Sequence, residues 1–170
     1  MSVLEQLLDL QEHDTALDQL RHRREQLPQR TTLAELDAAA SELATRRAGV
    51  EAERHELVRQ QSRLEDEIAI VEEKRTHDDR QLYSGTITSP RDLQDLQDEV
   101  ASLGRRQGTL EDELLEVLTA IEPLDAALAA LDAEHDDLVA RRATAEQELA
   151  AAEQEIDTEI GTVSAERDAV

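Results

Sequence analysis

The hydrophobic positions of this chain follow a three-four spacing over two long stretches. The first runs without interruption from Leu33 to Leu82, and the second runs from Leu93 to Ile156. Leucine, valine, isoleucine and alanine occupy most of these positions, which is the a and d pattern of a coiled-coil seam. The pattern therefore predicts two long helices, each with a single apolar stripe.

A shorter stripe lies nearer the N-terminus and ends at a proline. Because proline inside a helix removes a hydrogen bond and clashes with the preceding turn, Pro28 predicts a kink or break. The stripe that starts at Leu33 is also two residues out of step with the earlier one. We expect one helix over residues 3–27 and another over 32–83, with Thr31 or Thr32 as its cap. The first stripe consists of Leu7, Leu10, Leu17, Leu20 and Leu27.

The stretch between the two long seams predicts a tight connection. Gly85 can adopt the positive φ that ends a helix, and the β-branched residues after it resist helical packing. Ser89 can cap a new helix, and Pro90 has the backbone angle of a first helical turn. We therefore predict a loop over residues 84–89 and a helix over 90–160. Pro123 should bend that helix only locally, and Gly161 and the polar residues after it predict a frayed end over 161–170.

Two arms of similar length with one seam each can bury these seams against each other. The predicted fold is all-α, a long antiparallel intramolecular coiled-coil hairpin that is kinked near Pro28. We prefer the register that pairs Leu57 with Leu114, Val50 with Ile121 and Leu43 with Leu128, since it leaves a loop of about six residues. The alternative register is one heptad longer.

Composition agrees with a rod and disfavours several partners. Aromatic residues make up 1% of the chain and charged residues 35%, so a globular core is not expected. The formal charge of −23 makes nucleic acid and anionic lipid poor partners, and it favours a protein partner. Because the sequence shows neither a leader peptide nor a long apolar run, we expect a cytoplasmic protein without membrane contact.

Catalytic chemistry is not expected. The five histidines show no metal-binding spacing, the chain has no cysteine, and a two-helix rod offers no pocket to shift a carboxylate pKa. We therefore assign no catalytic, cofactor-binding or metal-binding residue, and predict a protein that is not an enzyme.

Polar residues within the seams and short basic clusters allow two interpretations each. The seam residues could contact partners, but we favour side chains that reach out of a narrow seam and fix its register. The clusters could contact nucleic acid, but we favour ion pairing on the helix surface, because no aromatic side chains accompany them. The seam residues are Arg47, Arg54, Gln61, Arg75, Gln107, His135 and Arg142, and the largest cluster is Arg21, His22, Arg23 and Arg24.

The tip of the hairpin, which is the loop together with the residues that flank it, is the strongest candidate for a binding site. It combines the only tyrosine with a β-branched apolar residue and a proline, where a plain connection would be polar. Alternatively, Tyr83 and Ile87 fold back and cap the end of the hairpin, and we weigh the two interpretations evenly. The candidate partner-binding residues are Tyr83, Gly85, Ile87, Ser89, Pro90 and Arg91.

The loop and its flanks also carry a resemblance to a known family. LYSGTITSPRDLQDLQDEVASL, between RLEDEIAIVEEKR and LEDELLEVLTAIEPLDAAL, resembles the bacterial zinc ribbon domain-containing proteins. Members of that family have an N-terminal coiled-coil hairpin and a C-terminal four-cysteine zinc ribbon. The resemblance extends over essentially all of residues 1–170 and implies that this chain is the hairpin portion. Any zinc ligands would then lie beyond Val170, and no zinc-binding residue can be assigned within it.

The resemblance also implies a role. Some relatives regulate flagellar biogenesis and bind a sigma factor and a messenger RNA. By resemblance, we expect a non-enzymatic adaptor that presents its tip and arms to protein partners, beside a zinc ribbon that contacts nucleic acid or protein. A purely structural or oligomerising coiled-coil spacer is the alternative. We favour a monomer over a dimer.

Overall fold

The computed structural model describes residues 3–170 and places nearly all of them in three α-helices. The helices are α1 (Val3–Glu25), α2 (Pro28–Tyr83) and α3 (Pro90–Asp168). No strand occurs in this range. The loop of residues 84–89 joins α2 to the antiparallel α3, so the predicted all-α coiled-coil hairpin is confirmed.

The break near Pro28 is shorter than predicted. α1 ends at Glu25 rather than at residue 27, and α2 begins at Pro28 rather than at residue 32. Proline suits the first position of a helix because the N–H that it lacks would have no helical partner there. The predicted cap at Thr31 or Thr32 is therefore wrong. The Thr32 hydroxyl lies inside α2 and donates to the Pro28 carbonyl at 3.4 Å.

The C-terminal end of α3 is longer than predicted. The helix continues to Asp168, so the expected fraying over residues 161–170 is wrong. A Cβ at Gly161 would meet no atom within 4 Å, and the glycine costs the helix only about 1 kcal/mol. This end of α3 lies beside α1, where Arg167 Nε donates to Asp14 Oδ1 at 2.6 Å. Pro123 lies within α3 without ending it.

The helices form two compact units. Unit 1 contains the described residues up to Thr45 together with Asp132–Val170, and unit 2 contains Arg46–Leu131. In unit 1, ion pairs join α1 and the start of α2 to the end of α3. Arg24 Nη2 donates to Asp157 Oδ2 at 3.3 Å, and Arg142 Nε donates to Asp37 Oδ1 at 2.9 Å. Its buried apolar side chains are those of Leu17, Leu27, Leu36, Leu43, Leu138, Ala145 and Ile156.

Unit 2 is held together by one apolar cluster between α2 and α3. Leu64, Leu110, Val117 and Ile121 are its buried members. Each of them occupies a seam position predicted from the sequence, which shows that the three-four spacing identified the core. The half-buried side chains that pack against the cluster are those of Leu57, Val58, Ile68, Val71 and Leu114.

The register within unit 2 is the longer of the two considered. Arg75 Nη1 donates to Gln107 Oε1 at 2.9 Å. In the shorter register these residues would lie eleven positions out of step, about 16 Å along the helix, which is too far for the two side chains to meet. In the longer register Gln107 faces Val71, one turn from Arg75. The preferred pairing of Leu57 with Leu114 is therefore wrong, and Leu57 instead faces Ile121.

The cause of this difference is the asymmetry of the loop. The shorter register assumes that the loop folds symmetrically about its centre. In the longer register Tyr83 faces Asp95, so the first turn of α3 extends past the end of α2. The loop still has the six residues predicted, 84–89.

Truncation of a core leucine tests the apolar cluster. Leu110 is 1% exposed, so we expect Leu110→Ala to lower the free energy of unfolding by about 2 to 5 kcal/mol, since it leaves a cavity. Urea unfolding followed by circular dichroism measures the change. Ile70→Ala is the control, because Ile70 is 67% exposed and should change stability by less than about 0.5 kcal/mol. Equal losses in the two variants would contradict the assigned core.

Candidate functional site at the hairpin tip

Ser84 organises the end of α2. Its backbone N–H donates to the Gln81 carbonyl at 3.2 Å, and its hydroxyl donates to the same carbonyl at 2.7 Å. The Thr86 N–H donates to the Ser84 hydroxyl oxygen at 3.2 Å, and the two hydroxyl oxygens lie 2.6 Å apart. The side chain of Ser84 thus satisfies groups that the last helical turn leaves unpaired.

Gly85 reverses the chain direction. Its φ is +71°, which is the left-handed conformation that favours glycine after a helix. This is the role that the sequence predicts for it. A side chain at this position would be strained by the backbone conformation, although a Cβ would meet no atom within 4 Å.

Ser89 begins the second arm. The Asp92 N–H donates to the Ser89 hydroxyl at 3.4 Å, and the Leu93 N–H donates to the Ser89 carbonyl at 3.1 Å. This is an N-cap followed by Pro90 in the first helical position and a carboxylate in the first turn. Hydrogen bonds at both ends therefore define the six-residue loop.

The two apolar candidates at the tip have different environments. Tyr83 is 81% exposed and its side chain forms no hydrogen bond within residues 3–170, whereas Ile87 is half-buried. Only Ile87 therefore folds back toward the helix ends, and the capping interpretation does not apply to Tyr83. Gly85, Pro90 and Arg91 are exposed, and Ser89 is half-buried.

Charges near the tip are unevenly paired. Lys74 Nζ donates to Glu99, a contact that raises the pKa of Lys74. By contrast, the exposed side chains of Arg80 and Arg91 form no hydrogen bond or ion pair with any described residue. Arg80 lies one helical turn before Tyr83 and shares its face of α2. Arg80 and Ser84 were not recognisable as tip residues from the sequence, because an arginine on a charged helix and a serine before glycine are common.

A carboxylate is buried in the seam close to the tip. Asp78 occupies a seam position and is only 8% exposed. In the longer register it faces Val100. A carboxylate at such a position contributes less than an apolar side chain, because burial removes its hydration. The apolar seam therefore weakens where it approaches the loop.

Polar residues elsewhere in the seam reach outward and bind neighbouring charges. The pKa of Arg54 is raised by its hydrogen bond to Asp125, and the pKa of Arg142 is raised by its hydrogen bond to Asp37. Gln61 Nε2 donates to Glu65 within its own helix at 2.8 Å. These contacts agree with the interpretation that polar seam residues fix the register.

The largest basic cluster is ion-paired. Arg21 Nη1 lies 3.1 Å from Asp18 Oδ1, and Arg23 Nη1 lies 3.6 Å from Glu159 Oε2. With Arg24 paired to Asp157, three of its four members have carboxylate partners. This pairing favours a solvated helix surface over a nucleic-acid contact.

Over residues 3–170 no helix contains an apolar segment long enough to cross a membrane. Over the same range no three histidine or acidic side chains converge in a way that could hold a metal ion.

A coiled-coil hairpin with an ordered, partly apolar tip is the class of protein that these features define. Residues 10–170 match the CT398-like coiled coil hairpin domain, and the chain belongs to this family. The family match covers the hairpin itself.

Relatives and a solved structure support this assignment. Two uncharacterized proteins of Mycobacterium tuberculosis, from strains CDC 1551 and H37Rv, are each 39% identical over 162 residues. That alignment covers 95% of this chain and 66% of each relative, so the chain spans about two thirds of their length. A structure from Mycobacterium smegmatis is 30% identical with a TM-score of 0.88, covering 97% of this chain and 68% of that one.

Substitution of Gly85 tests the turn. We expect Gly85→Ala to destabilise the protein by about 1 to 2 kcal/mol, because alanine disfavours positive φ. Gly49→Ala is the matched control. Gly49 lies inside α2 where a Cβ would have free space, so alanine should stabilise by about 0.5 to 1 kcal/mol. Thermal unfolding measures both changes, and stabilisation by Gly85→Ala would refute the assigned conformation.

Replacement of Asp78 tests the weak end of the seam. We expect Asp78→Leu to stabilise the hairpin by about 1 to 2 kcal/mol, because an apolar side chain replaces a buried carboxylate. Urea unfolding at pH 7 measures the effect. Asp79→Leu, at the exposed neighbouring position, should change stability by less than about 0.5 kcal/mol. A loss of stability in Asp78→Leu would show that the carboxylate has a structural role.

Proposed function

We propose that this protein is a non-enzymatic cytoplasmic adaptor whose hairpin presents its tip to a protein partner. The observation that carries the proposal is the exposure of Tyr83, which is 81% exposed at the end of α2. Tyrosine combines a large apolar surface with a hydroxyl and is enriched at the centres of protein interfaces. Its position suits recognition, since the hydrogen bonds of Ser84 and Ser89 order the loop beside it.

The rest of the tip supports a protein partner. Ile87 and Pro90 are further apolar residues of the tip, and Arg80 and Arg91 add exposed guanidinium groups that form no ion pair with a described carboxylate. Arginine and tyrosine together are typical of the residues that dominate binding energy at interfaces. The overall charge of −23 disfavours a nucleic acid as the ligand of this segment.

The longer relatives give the adaptor proposal a second part. The resemblance to zinc ribbon proteins suggests that hairpins of this kind act beside a zinc ribbon, which would contact nucleic acid or another protein. About a third of the M. tuberculosis proteins lies outside the matched region, which leaves room for such a domain in them. In this arrangement the hairpin would connect the partner of its tip to the partner of the ribbon.

The alternative is a structural coiled-coil spacer whose loop only connects the arms. The continuous seam of unit 2 and its ion pairs favour it, since they would suffice for a spacer. The two functions differ in what they require of Tyr83. A spacer does not need an exposed aromatic ring at the tip, whereas the adaptor does.

Capture of partners by tip variants tests the adaptor. We expect Tyr83→Ala and Ile87→Ala to reduce recovery of a specific partner by about tenfold or more, because each removes apolar contact area from the interface. Quantitative pull-down from a lysate of the source organism, with the parent chain as reference, measures the loss. Ile70→Ala controls for nonspecific binding to apolar surface, since Ile70 is an exposed apolar residue of α2 outside the tip.

Folding of each variant is checked by circular dichroism. If Tyr83→Ala and Ile87→Ala recover every partner of the parent chain in undiminished amount, the tip is only a connection and the spacer function stands.

A further inference from the structure

A break of two residues, Gln26 and Leu27, separates α1 from α2. The Gln26 N–H donates to the His22 carbonyl at 3.1 Å and closes the last turn of α1, and the Arg30 N–H donates to the Leu27 carbonyl at 3.1 Å in the first turn of α2. Pro28 has no N–H and cannot extend the hydrogen bonds of α1 into α2. The backbone angles at this break can therefore change without loss of the helical hydrogen bonds on either side.

The α2 side of the break is firmly packed. Leu27 is 8% exposed, and Arg30 Nη2 donates to Glu153 of α3. Leu36 and Leu43, at 5% and 2% exposed, bury the first part of α2. A movement about the break is therefore a movement of α1.

The contact face of α1 is half polar. Its buried and half-buried residues include a three-four series of six, of which Leu17 is buried and the other five are half-buried. Leu4, Leu7 and Leu8 of the same helix are exposed. Because α1 buries little apolar surface, the hydrophobic effect holds it only weakly. The series consists of Gln6, Leu10, His13, Leu17, Leu20 and Arg24.

Three arginine–carboxylate ion pairs also join α1 to α3. Two of them lie near the break, and the third lies farther along α1. All six side chains are 38% or more exposed, so salt screens these pairs effectively. The pairs are Arg23 with Glu159, Arg24 with Asp157 and Asp14 with Arg167, with nitrogen–oxygen distances of 3.6, 2.9 and 2.6 Å, respectively.

We propose that α1 is a hinged arm, which these ion pairs dock on α3 and which salt releases by rotation about the break. The part of α3 between the outermost pairs contains an apolar stripe of Ile156, Ile160 and Val163, which is 1% exposed at Ile156 and half-buried at the other two. The docked arm covers this stripe, and release uncovers it. The tip residues belong to unit 2 and take no part in this contact, so the inference does not rest on the proposed function.

Hydrogen–deuterium exchange of the full chain, followed by mass spectrometry, tests the arm. We expect the amides of α1 to exchange at least about tenfold faster than those of residues 57–71, because α1 opens without unfolding of the rest. Low concentrations of urea should change the α1 rate little, since local opening exposes little surface. Raising NaCl from about 0.05 to about 1 M shortens the screening length to about 3 Å. It should speed exchange of α1 about threefold or more relative to residues 57–71.

Charge reversal tests the role of the ion pairs. We expect Arg167→Glu to speed exchange of α1 about threefold or more, because a pair is lost and two carboxylates then face each other. The double variant Arg167→Glu with Asp14→Arg should restore the parent rate. Arg106→Glu is the matched control, since Arg106 forms an equally exposed pair with Glu67 in unit 2, and it should leave the α1 rate unchanged.

A substitution in the contact face tests the docked position. His13→Leu should slow exchange of α1 about threefold or more, because leucine adds apolar contact at a half-buried position. His22→Leu is the control, since His22 is exposed on the same helix and should have no such effect.

The absence of native cysteine allows the opening to be measured as a distance. Spin labels on Glu12→Cys and Ala165→Cys, at exposed positions of α1 and α3, should give a short distance and a second, longer one whose population grows with salt. Labels on Glu72→Cys and Arg105→Cys, at exposed positions of unit 2, should give one distance at every salt concentration.

The proposal is overturned if α1 exchanges as slowly as residues 57–71 at both salt concentrations, or if its exchange depends on urea as steeply as theirs. A single distance between α1 and α3 that salt leaves unchanged would overturn it as well. So would an α1 rate that does not respond to Arg167→Glu or to His13→Leu.

Discussion

Burial of a narrow leucine stripe between two helices is the interaction on which this structure depends. The chain has one tyrosine and no phenylalanine or tryptophan, so no other set of side chains could form a core. Each helix buries its stripe only by lying along another, and helix formation is therefore coupled to pairing. Leu110 and Ile156, each 1% exposed, are the most deeply buried apolar residues in units 2 and 1, respectively.

The charged residues at seam positions place their charges at the rim, outside this apolar core. Arg54 and Arg142 occupy seam positions, but their guanidinium groups reach carboxylates at the rim. Such exposed pairs contribute little free energy individually. Their value lies in specificity, since a hairpin with the wrong register would separate the partners. The formal charge of −23 keeps the outer surface strongly hydrated, so the exposed apolar residues at the tip and on α3 differ from their surroundings.

The sequence predicted the fold because the heptad spacing has few structural solutions. It did not predict the register, because a shift by one heptad still places the seam positions of one arm opposite seam positions of the other. What distinguishes the registers is the asymmetric loop and contacts such as that of Arg75 with Gln107. Some helix ends were predicted wrongly, because a proline or a glycine can either end a helix or be accommodated in one. Pro28 is the first residue of α2, directly after a break of two residues, instead of lying inside a longer break, and Gly161 is tolerated because α1 packs beside the end of α3. At the tip, the residue types were identifiable, but the exposure of Tyr83 and the half-burial of Ile87 depend on how the loop folds.

The position of Tyr83 has a practical consequence for spectroscopy. It is the only aromatic side chain of the chain and lies at the candidate binding site. The intrinsic ultraviolet emission of the protein therefore comes from this one ring, without background from a core. Changes in its intensity or anisotropy report directly on the surroundings of the tip in the unmodified, unlabelled molecule. The other end of the hairpin contains no tyrosine, phenylalanine or tryptophan and therefore does not contribute to this emission.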